Sequence, residues 1–164
     1  MQGKKRSKVE HLASIFDAAA VNFYQKYRRN TKCKQPLVFD WFYRSENFTA
    51  SPMVFASRWH TAARHETGAV RDIVMAAGWY REEITAVETD RFIRYCVLRS
   101  FPRVKQEFTE IAFTPAPNGA TRVAWTVELQ TAPALLTPIG AKLAKRLYST
   151  ILRAGKRALE AGAA

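Results

Sequence analysis

The sequence has little of what usually marks a secreted, membrane-spanning or disulfide-bonded protein. Its 164 residues include only two cysteines, Cys33 and Cys96, and these form no CxxC pair, so we expect reduced thiols rather than a disulfide framework. No run approaches the ~20 consecutive apolar residues that span a bilayer. Residues 1–8 are basic and lack the apolar core of a signal peptide. We therefore expect a cytoplasmic protein.

Glycine is also scarce, and its placement excludes several enzyme classes. The seven glycines stand at positions 3, 68, 78, 119, 140, 155 and 162, which gives no GxSxG elbow, no GxGxxG turn and no phosphate loop. Catalytic residues are therefore unknown, and we expect no cofactor. His60, His65 and Glu66 are the one cluster of metal-ligand types, but their order matches no zinc motif. We expect no metal site there, only a polar turn or strand end before Gly68.

Acidic residues are few, with 14 against 26 lysines and arginines and a net charge of +12. Residues 1–30 carry seven cations and two acids, residues 136–164 carry six and one, and residues 31–135 carry thirteen and eleven. The excess charge therefore lies on the two ends, which could meet each other or bind an anionic membrane surface. A solvated basic face that aids solubility is the alternative.

The last thirty residues predict a long amphipathic helix. Apolar side chains recur there at steps of three and four, the spacing of one helix face. They are Leu136, Ile139, Leu143, Leu147, Ile151, Ala154 and Ala158. Lys142, Lys145, Arg146, Arg153, Lys156 and Arg157 fall on the opposite face. Gly155 either weakens this helix or allows close packing.

Upstream of the helix the apolar period changes to two, which predicts strands. In 121–130, Val123, Trp125, Val127 and Leu129 alternate with more polar residues. A turn containing Asn118-Gly119 joins this strand to its expected hairpin partner at 105–114. Further strands are expected at 69–77, 80–88 and 91–99, and their short connections imply an antiparallel meander.

The first third of the chain is harder to interpret. One reading is a strand over 9–16 and a helix over 18–29 capped by Asp17; one helix over 9–29 is also compatible with the spacing. We favour strand then helix. Residues 34–46 and 51–59 are apolar and aromatic and could hold a short helix or turn and then a strand.

This order of elements resembles the helix-grip fold of the SRPBCC or START-like superfamily, within it the polyketide cyclase/dehydrase and lipid-transport group. The residues that carry the resemblance are Gly68–Ile73, Gly78, Glu82–Ile84, Glu88, Asp90, Arg94, Tyr95, Phe113, Gly119–Val123 and Trp125. It covers residues 60–160 well and the first 60 poorly. The resemblance implies an α+β fold, a curved antiparallel sheet of about six or seven strands wrapped around the long C-terminal helix. We expect residues 1–8 to be a basic flexible tail and 9–164 a single helix-grip domain.

Candidate site residues follow from this architecture, because a sheet closed around a helix can leave an apolar cavity. We predict that ligand contacts come from aromatic residues, one cation and the helix. The predicted ligand-binding residues are Trp41, Arg71, Trp79, Tyr95, Phe101, Trp125, Ile139, Leu143 and Leu147.

The ionisable residues of the neighbouring strands leave two alternatives open. Arg71, Glu82, Glu83 and Arg94 could point inward, to orient a ligand or act as an acid and base pair. Cross-strand ion pairs on the outer face of the sheet are the alternative we favour.

Three functions are consistent with these features. The first is binding of a hydrophobic or amphipathic small molecule (a lipid, isoprenoid, quinone or polyketide-like compound) in an interior cavity. The second is a cyclase, aromatase or dehydrase acting on such a ligand, and the third is a basic surface protein that binds anionic membrane or nucleic acid. Nucleic acid is the disfavoured partner, because the basic helix interleaves only Tyr148 for stacking. The oligomeric state is not indicated.

Overall fold

The computed structural model describes residues 21–62, 64–131 and 138–162. Seven strands, two α-helices and two short 3-10 helices make up this part of the chain. The strands are β1 (Val21–Thr31), β2 (Val54–Trp59), β3 (Val70–Met75), β4 (Gly78–Glu88), β5 (Phe92–Phe101), β6 (Lys105–Pro115) and β7 (Thr121–Thr131). The α-helices are α1 (Gln35–Tyr43) and α2 (Pro138–Gly162), and the 3-10 helices are Ser45–Ala50 and Pro117–Gly119. The predicted tail at 1–8 lies outside the described residues, and the single domain over 9–164 stays a prediction.

The seven strands form one antiparallel sheet in the order β1-β7-β6-β5-β4-β3-β2. Strands β2 to β7 follow one another as neighbours, as short connections require. The first strand closes the sheet by pairing with the last. Helix α1 and the first 3-10 helix form the connection from β1, at one edge, to β2 at the other. The predicted α+β helix-grip architecture, with its antiparallel meander, is therefore confirmed.

The prediction for the first third was wrong within the described residues. Residues 21–31 form β1, paired with β7 from Val21↔Thr131 to Thr31↔Thr121, so neither predicted helix exists over 21–29. The cause is tertiary: β7 offers an unpaired edge, and Tyr27, 8% exposed, stacks on Tyr148 with ring centroids 4.9 Å apart. Such pairing overrides local propensity. The predicted strand at 9–16 lies outside the described residues.

Helix α2 packs its apolar face over the concave side of the sheet. Leu147, Ile151 and Leu152 are buried there. At Gly155 the helix meets α1 closely, since an added Cβ would lie only 2.8 Å from Cζ3 of Trp41. Gly155 is thus the close-packing glycine that the sequence offered as one alternative. No helix in the described part of the chain is long and apolar enough to cross a bilayer.

Candidate functional site

An ion pair lies in the interior of the sheet, between adjacent strands β3 and β4. Arg71 and Glu82 are direct cross-strand partners, and they are 1% and 3% exposed. Nε of Arg71 donates a hydrogen bond of 2.9 Å to Oε2 of Glu82, and Nη2 lies 2.8 Å from the same oxygen. Arg71 and Glu82 therefore point inward, and the alternative that we favoured, an ion pair on the outer face, is wrong for these two residues.

The outer face carries the pairing that the sequence favoured, but for a different arginine. Nε of Arg94 on β5 donates to Oε2 of Glu110 on β6 at 2.7 Å, and both side chains are partly exposed. The difference follows from strand alternation, because successive side chains on a strand point to opposite faces. The sequence does not say which parity faces the helix.

Aromatic rings surround the guanidinium of Arg71. Its central carbon lies 4.9 Å from the ring centroid of Tyr95, 5.5 Å from that of Trp59 and 5.7 Å from that of Phe48. These contacts stabilise a buried cation through the negative faces of the rings. They also place the positive charge among apolar side chains.

Two buried donors in this cluster have no hydrogen-bond partner among the described residues: Nη2 of Arg71 and Nε1 of Trp59. Nη2 forms an ion pair with Oε2 of Glu82 at 2.8 Å but makes no hydrogen bond to it. A buried donor without a partner costs about 1–3 kcal/mol, and such groups are rare in folded proteins. Two on neighbouring side chains therefore mark this cluster as unusual.

A second set of polar groups extends from Tyr95 across β6 and β7. Nε1 of Trp125 donates to the hydroxyl oxygen of Tyr95 at 3.0 Å, and Thr109 is the direct cross-strand partner of Tyr95. Nε2 of Gln106 donates to Oγ1 of Thr109 in turn. Tyr148 of α2 lies against Trp125, with ring centroids 5.1 Å apart. The helix and the sheet therefore meet at a polar network bounded by aromatic rings.

Burial sets the protonation of the site. It raises the pKa of the Glu82 carboxyl, and the opposing effect of Arg71 offsets this only in part. Burial, with a smaller contribution from Glu82, raises the pKa of Tyr80 to about 12 and that of Tyr95 well above its ordinary value. The pKa of Tyr148 shifts in the same direction, chiefly through burial. The three phenols are therefore neutral near pH 7, and Glu82 takes up a proton more readily than an exposed glutamate.

The structure brings four of the nine predicted ligand-binding residues together in the interior. Arg71, Tyr95, Trp125 and Leu147 are each at most 2% exposed. Trp41 is half-buried and packs edge-on against Phe42, with centroids 4.8 Å apart.

The other four predicted residues lie elsewhere or at the margin. Leu143 on α2 is half-buried. Trp79 and Phe101 are cross-strand partners at one end of the sheet, and Phe101 is 78% exposed. Ile139, on the first turn of α2, is 79% exposed. A ligand contact at any of the nine positions stays a prediction.

Sequence reasoning missed Trp59 and Phe48, which complete the surroundings of Arg71. Trp59 is the direct cross-strand partner of Arg71 and therefore shares its face of the sheet. Alternation along β2 was the sequence signal that could have indicated this. Phe48 lies in a 3-10 helix, where no period marks the buried side.

The two histidines serve local structure: Nε2 of His60 contacts Oδ2 of Asp72 at 2.7 Å, and Nδ1 of His65 lies 2.7 Å from the carbonyl oxygen of Tyr43.

Comparison with known proteins gives structural relatives without sequence relatives. No family model matches the chain, and no curated protein matches it by sequence. A crystal structure of TTHA0849 from Thermus thermophilus superposes with a TM-score of 0.73 at 16% identity, covering 87% of this chain and 100% of that one. Ginseng major latex-like protein 151 from Panax ginseng gives 0.69 at 11% identity, covering 85% and 98%. Ara h 8.0201 gives 0.67 at 10% identity, covering 86% and 99%.

The chain has the helix-grip fold. The resemblance to the SRPBCC or START-like group is therefore confirmed at the level of the fold, over nearly the full length of these structures. Identities this low establish architecture alone, and function has to be argued from the site.

Proposed function

We propose that the protein binds a hydrophobic or amphipathic small molecule between the sheet and α2, with the polar end of that molecule at the Arg71–Glu82 pair. The observation that carries the proposal is the buried ion pair inside an aromatic shell, with two neighbouring donors left without partners. A ligand acceptor would satisfy those donors, and apolar walls would hold the rest of the ligand.

The chemistry of the donors limits the ligand class. Nη2 of Arg71 and Nε1 of Trp59 donate only, so the polar end must present an acceptor oxygen, as a carboxylate or a carbonyl does. The rings of Phe48, Tyr95 and Trp125 favour a flat or flexible apolar body. Lipids, isoprenoids, quinones and polyketide-like compounds with a terminal oxygen meet both requirements.

A salt-dependent titration with a fluorescent fatty acid tests the proposal. Interior binding gains affinity from buried apolar area, which salt does not screen. Surface binding through the cations of α2 should largely vanish at ~1 M salt, where the Debye length is ~3 Å. We expect saturable, one-to-one binding that persists at high salt and is accompanied by a change in Trp emission.

A matched pair of variants places the polar end. Arg71→Met removes the interior donor, whereas Arg94→Met removes an arginine that is also paired with a glutamate, but on the outer face. We expect Arg71→Met to lower the affinity for the fatty acid more than the affinity for the corresponding fatty alcohol. Arg94→Met should leave both affinities unchanged. Equal effects of the two variants, or no saturable binding at high salt, would show that the interior is not the ligand site.

A second candidate, a cyclase, aromatase or dehydrase, is favoured by one observation. Glu82 is a fully buried carboxyl with a raised pKa, and Tyr95 lies close enough for Glu82 to influence its pKa. A carboxyl poised nearer neutrality can move protons in a bound polyketone chain. Turnover of a polyketone by the wild type, lost in Glu82→Gln with binding retained, would favour the enzyme over the binding module.

A further inference from the structure

The outer face of the sheet carries an apolar row across β2 to β5, near the end of the sheet that holds the β3–β4 turn. Ala56, Val74, Trp79 and Phe101 are successive cross-strand partners. Directly paired residues share a face, and this face is the solvent side, because Phe101 is 78% and Val74 38% exposed. Phe55 on β2 and Leu98 on β5, each beside a register shift, are exposed as well.

The clustering of these side chains is unusual. Six large hydrophobic residues of the described chain are largely exposed, and four of them lie on these strands. The four are Phe55, Val74, Leu98 and Phe101. Large contiguous apolar areas on a surface usually mark a site of interaction.

A charged row lies beside the apolar row, two residues further along each strand. Its successive cross-strand partners are Arg58, Asp72, Arg81 and Arg99. The two rows are about 7 Å apart, from the rise of ~3.4 Å per strand residue. We call the two rows together the docking face.

The charged row has a net positive charge. Asp72 is its one acid and is already bound, with Arg81 donating to both carboxylate oxygens at 2.8 and 3.0 Å. Arg58 and Arg99 are exposed, and neither makes an ion pair with another described residue. These two arginines are therefore available to an anionic partner.

We propose that the docking face binds the surface of an anionic lipid bilayer. The apolar row, the last outward-facing row before the β3–β4 turn, enters the boundary between headgroups and acyl chains, and the arginine row lies at the phosphates behind it. Amphipathic surface binding places apolar side chains ~5–10 Å into this boundary, which matches the separation of the rows. This inference does not depend on the interior ligand.

Two other occupants fit the docking face less well. Single-stranded nucleic acid needs a run of open aromatic faces for stacking, but Phe101 is the one open ring of the apolar row. The guanidinium of Arg81 lies 5.5 Å over the ring of Trp79, and Ala56 and Val74 have no ring. A second copy of the chain would bring two arginine rows together, since Arg81 and Arg99 already stand side by side. An anionic bilayer complements both rows.

The test is flotation of the full chain with vesicles of phosphatidylcholine alone and of phosphatidylcholine with phosphatidylglycerol. We expect binding to the anionic vesicles, with Trp emission shifted to the blue, and a smaller shift in Trp79→Phe. Arg99→Glu changes the charge by two units, which at ~1 kcal/mol per charge near an anionic surface should weaken binding more than tenfold. Phe101→Ser should weaken binding about tenfold, because less apolar area enters the bilayer. Both residues are exposed, so the fold should be retained, which circular dichroism checks.

Two matched controls separate this face from the rest of the surface. Leu37→Ser changes an apolar residue that is 58% exposed on α1, whose Gln35 bonds the carbonyl of Asp90 at the far end of β5. Arg157→Glu reverses an exposed cation on α2. Both should bind vesicles like the wild type.

Three results would overturn the proposal. Equal loss of binding in Arg157→Glu and Arg99→Glu would assign attachment to net charge rather than to the docking face. Tighter binding of single-stranded DNA than of anionic vesicles, sensitive to Phe101→Ser, would make the face a nucleic-acid surface. A dimer in the wild type that Phe101→Ser dissociates, without vesicle binding, would make it a contact between copies.

Discussion

Replacement of Glu82 by glutamine tests whether the interior ion pair has the geometry described. The change preserves shape and a hydrogen-bond acceptor but leaves the Arg71 guanidinium buried without its anion. Arginine cannot release its proton in a protein, so the charge stays. Breaking a buried pair costs up to about 3–5 kcal/mol when a charge is left alone, a large part of the ~5–15 kcal/mol that stabilises a typical domain. Because burial costs the Glu82 anion more than Arg71 returns, the neutral amide should cost less than this, and Arg71→Met, which leaves the anion alone, should cost the full amount at high pH.

The converse variant, Arg71→Met, should be less destabilising at low pH than at high pH. Its buried Glu82 can take up a proton, and the loss of Arg71 removes the influence that lowers the pKa of this carboxyl. The double variant Arg71→Met/Glu82→Leu leaves no buried charge and should recover most of the stability of the wild type. The double-mutant cycle of the two single variants and the double variant gives the interaction energy between Arg71 and Glu82, apart from the contacts that each makes with its surroundings.

The pH dependence has a definite sign. Burial raises the pKa of Glu82 in the folded state, so the folded state binds more protons than the unfolded state above the unfolded pKa of ~4.3. Stability from this group is therefore fully present below that pH and falls as pH rises toward the folded pKa. The fall should be larger in Arg71→Met and absent in Glu82→Gln.

Urea unfolding followed by Trp emission, at several pH values from about 4 upward, measures these differences. Glu110→Gln, which breaks the partly exposed pair with Arg94, is the matched control and should cost at most about 1 kcal/mol. A cost for Arg71→Met no larger than that of the control, at every pH, would show that the Arg71–Glu82 pair is not buried in solution.

Three further substitutions test the packing. Trp125→Ala should cost about 3–5 kcal/mol in urea unfolding, through lost transfer energy and a cavity; a loss below about 1 kcal/mol would show that this ring is not enclosed. Gly155→Ala should destabilise the fold by about 1–3 kcal/mol, because the new Cβ meets Trp41. The control Gly162→Ala should not, because no neighbour lies within 4 Å of the added Cβ. Equal melting temperatures of the two variants would contradict the close approach of α1 and α2. Gly78→Ala should lower the melting temperature, since φ is +132° and the added Cβ would collide with the carbonyl of Phe101; a wild-type melt would contradict this turn.

Much of the architecture was readable from local patterns. The steps of three and four after residue 136 predicted α2, and the alternation around Trp125 predicted β7, because both periods are properties of the backbone itself. The turn at Asn118-Gly119 was also readable, since both residues adopt positive φ there, as such pairs readily do. The element order then sufficed to recognise the helix-grip fold.

Other features depended on partners distant in sequence. Residues 21–31 carry no period that separates a helix from a strand, and their pairing with β7, far along the chain, decided the matter. The same holds for the site: alternation places Arg71 and Arg94 each on one face of a strand, but only the register between strands and the position of α2 decide which face is buried. A sequence records the period of its side chains, whereas burial is a property of what covers them, and that is why Glu82 inside and the docking face outside were found only in the folded chain.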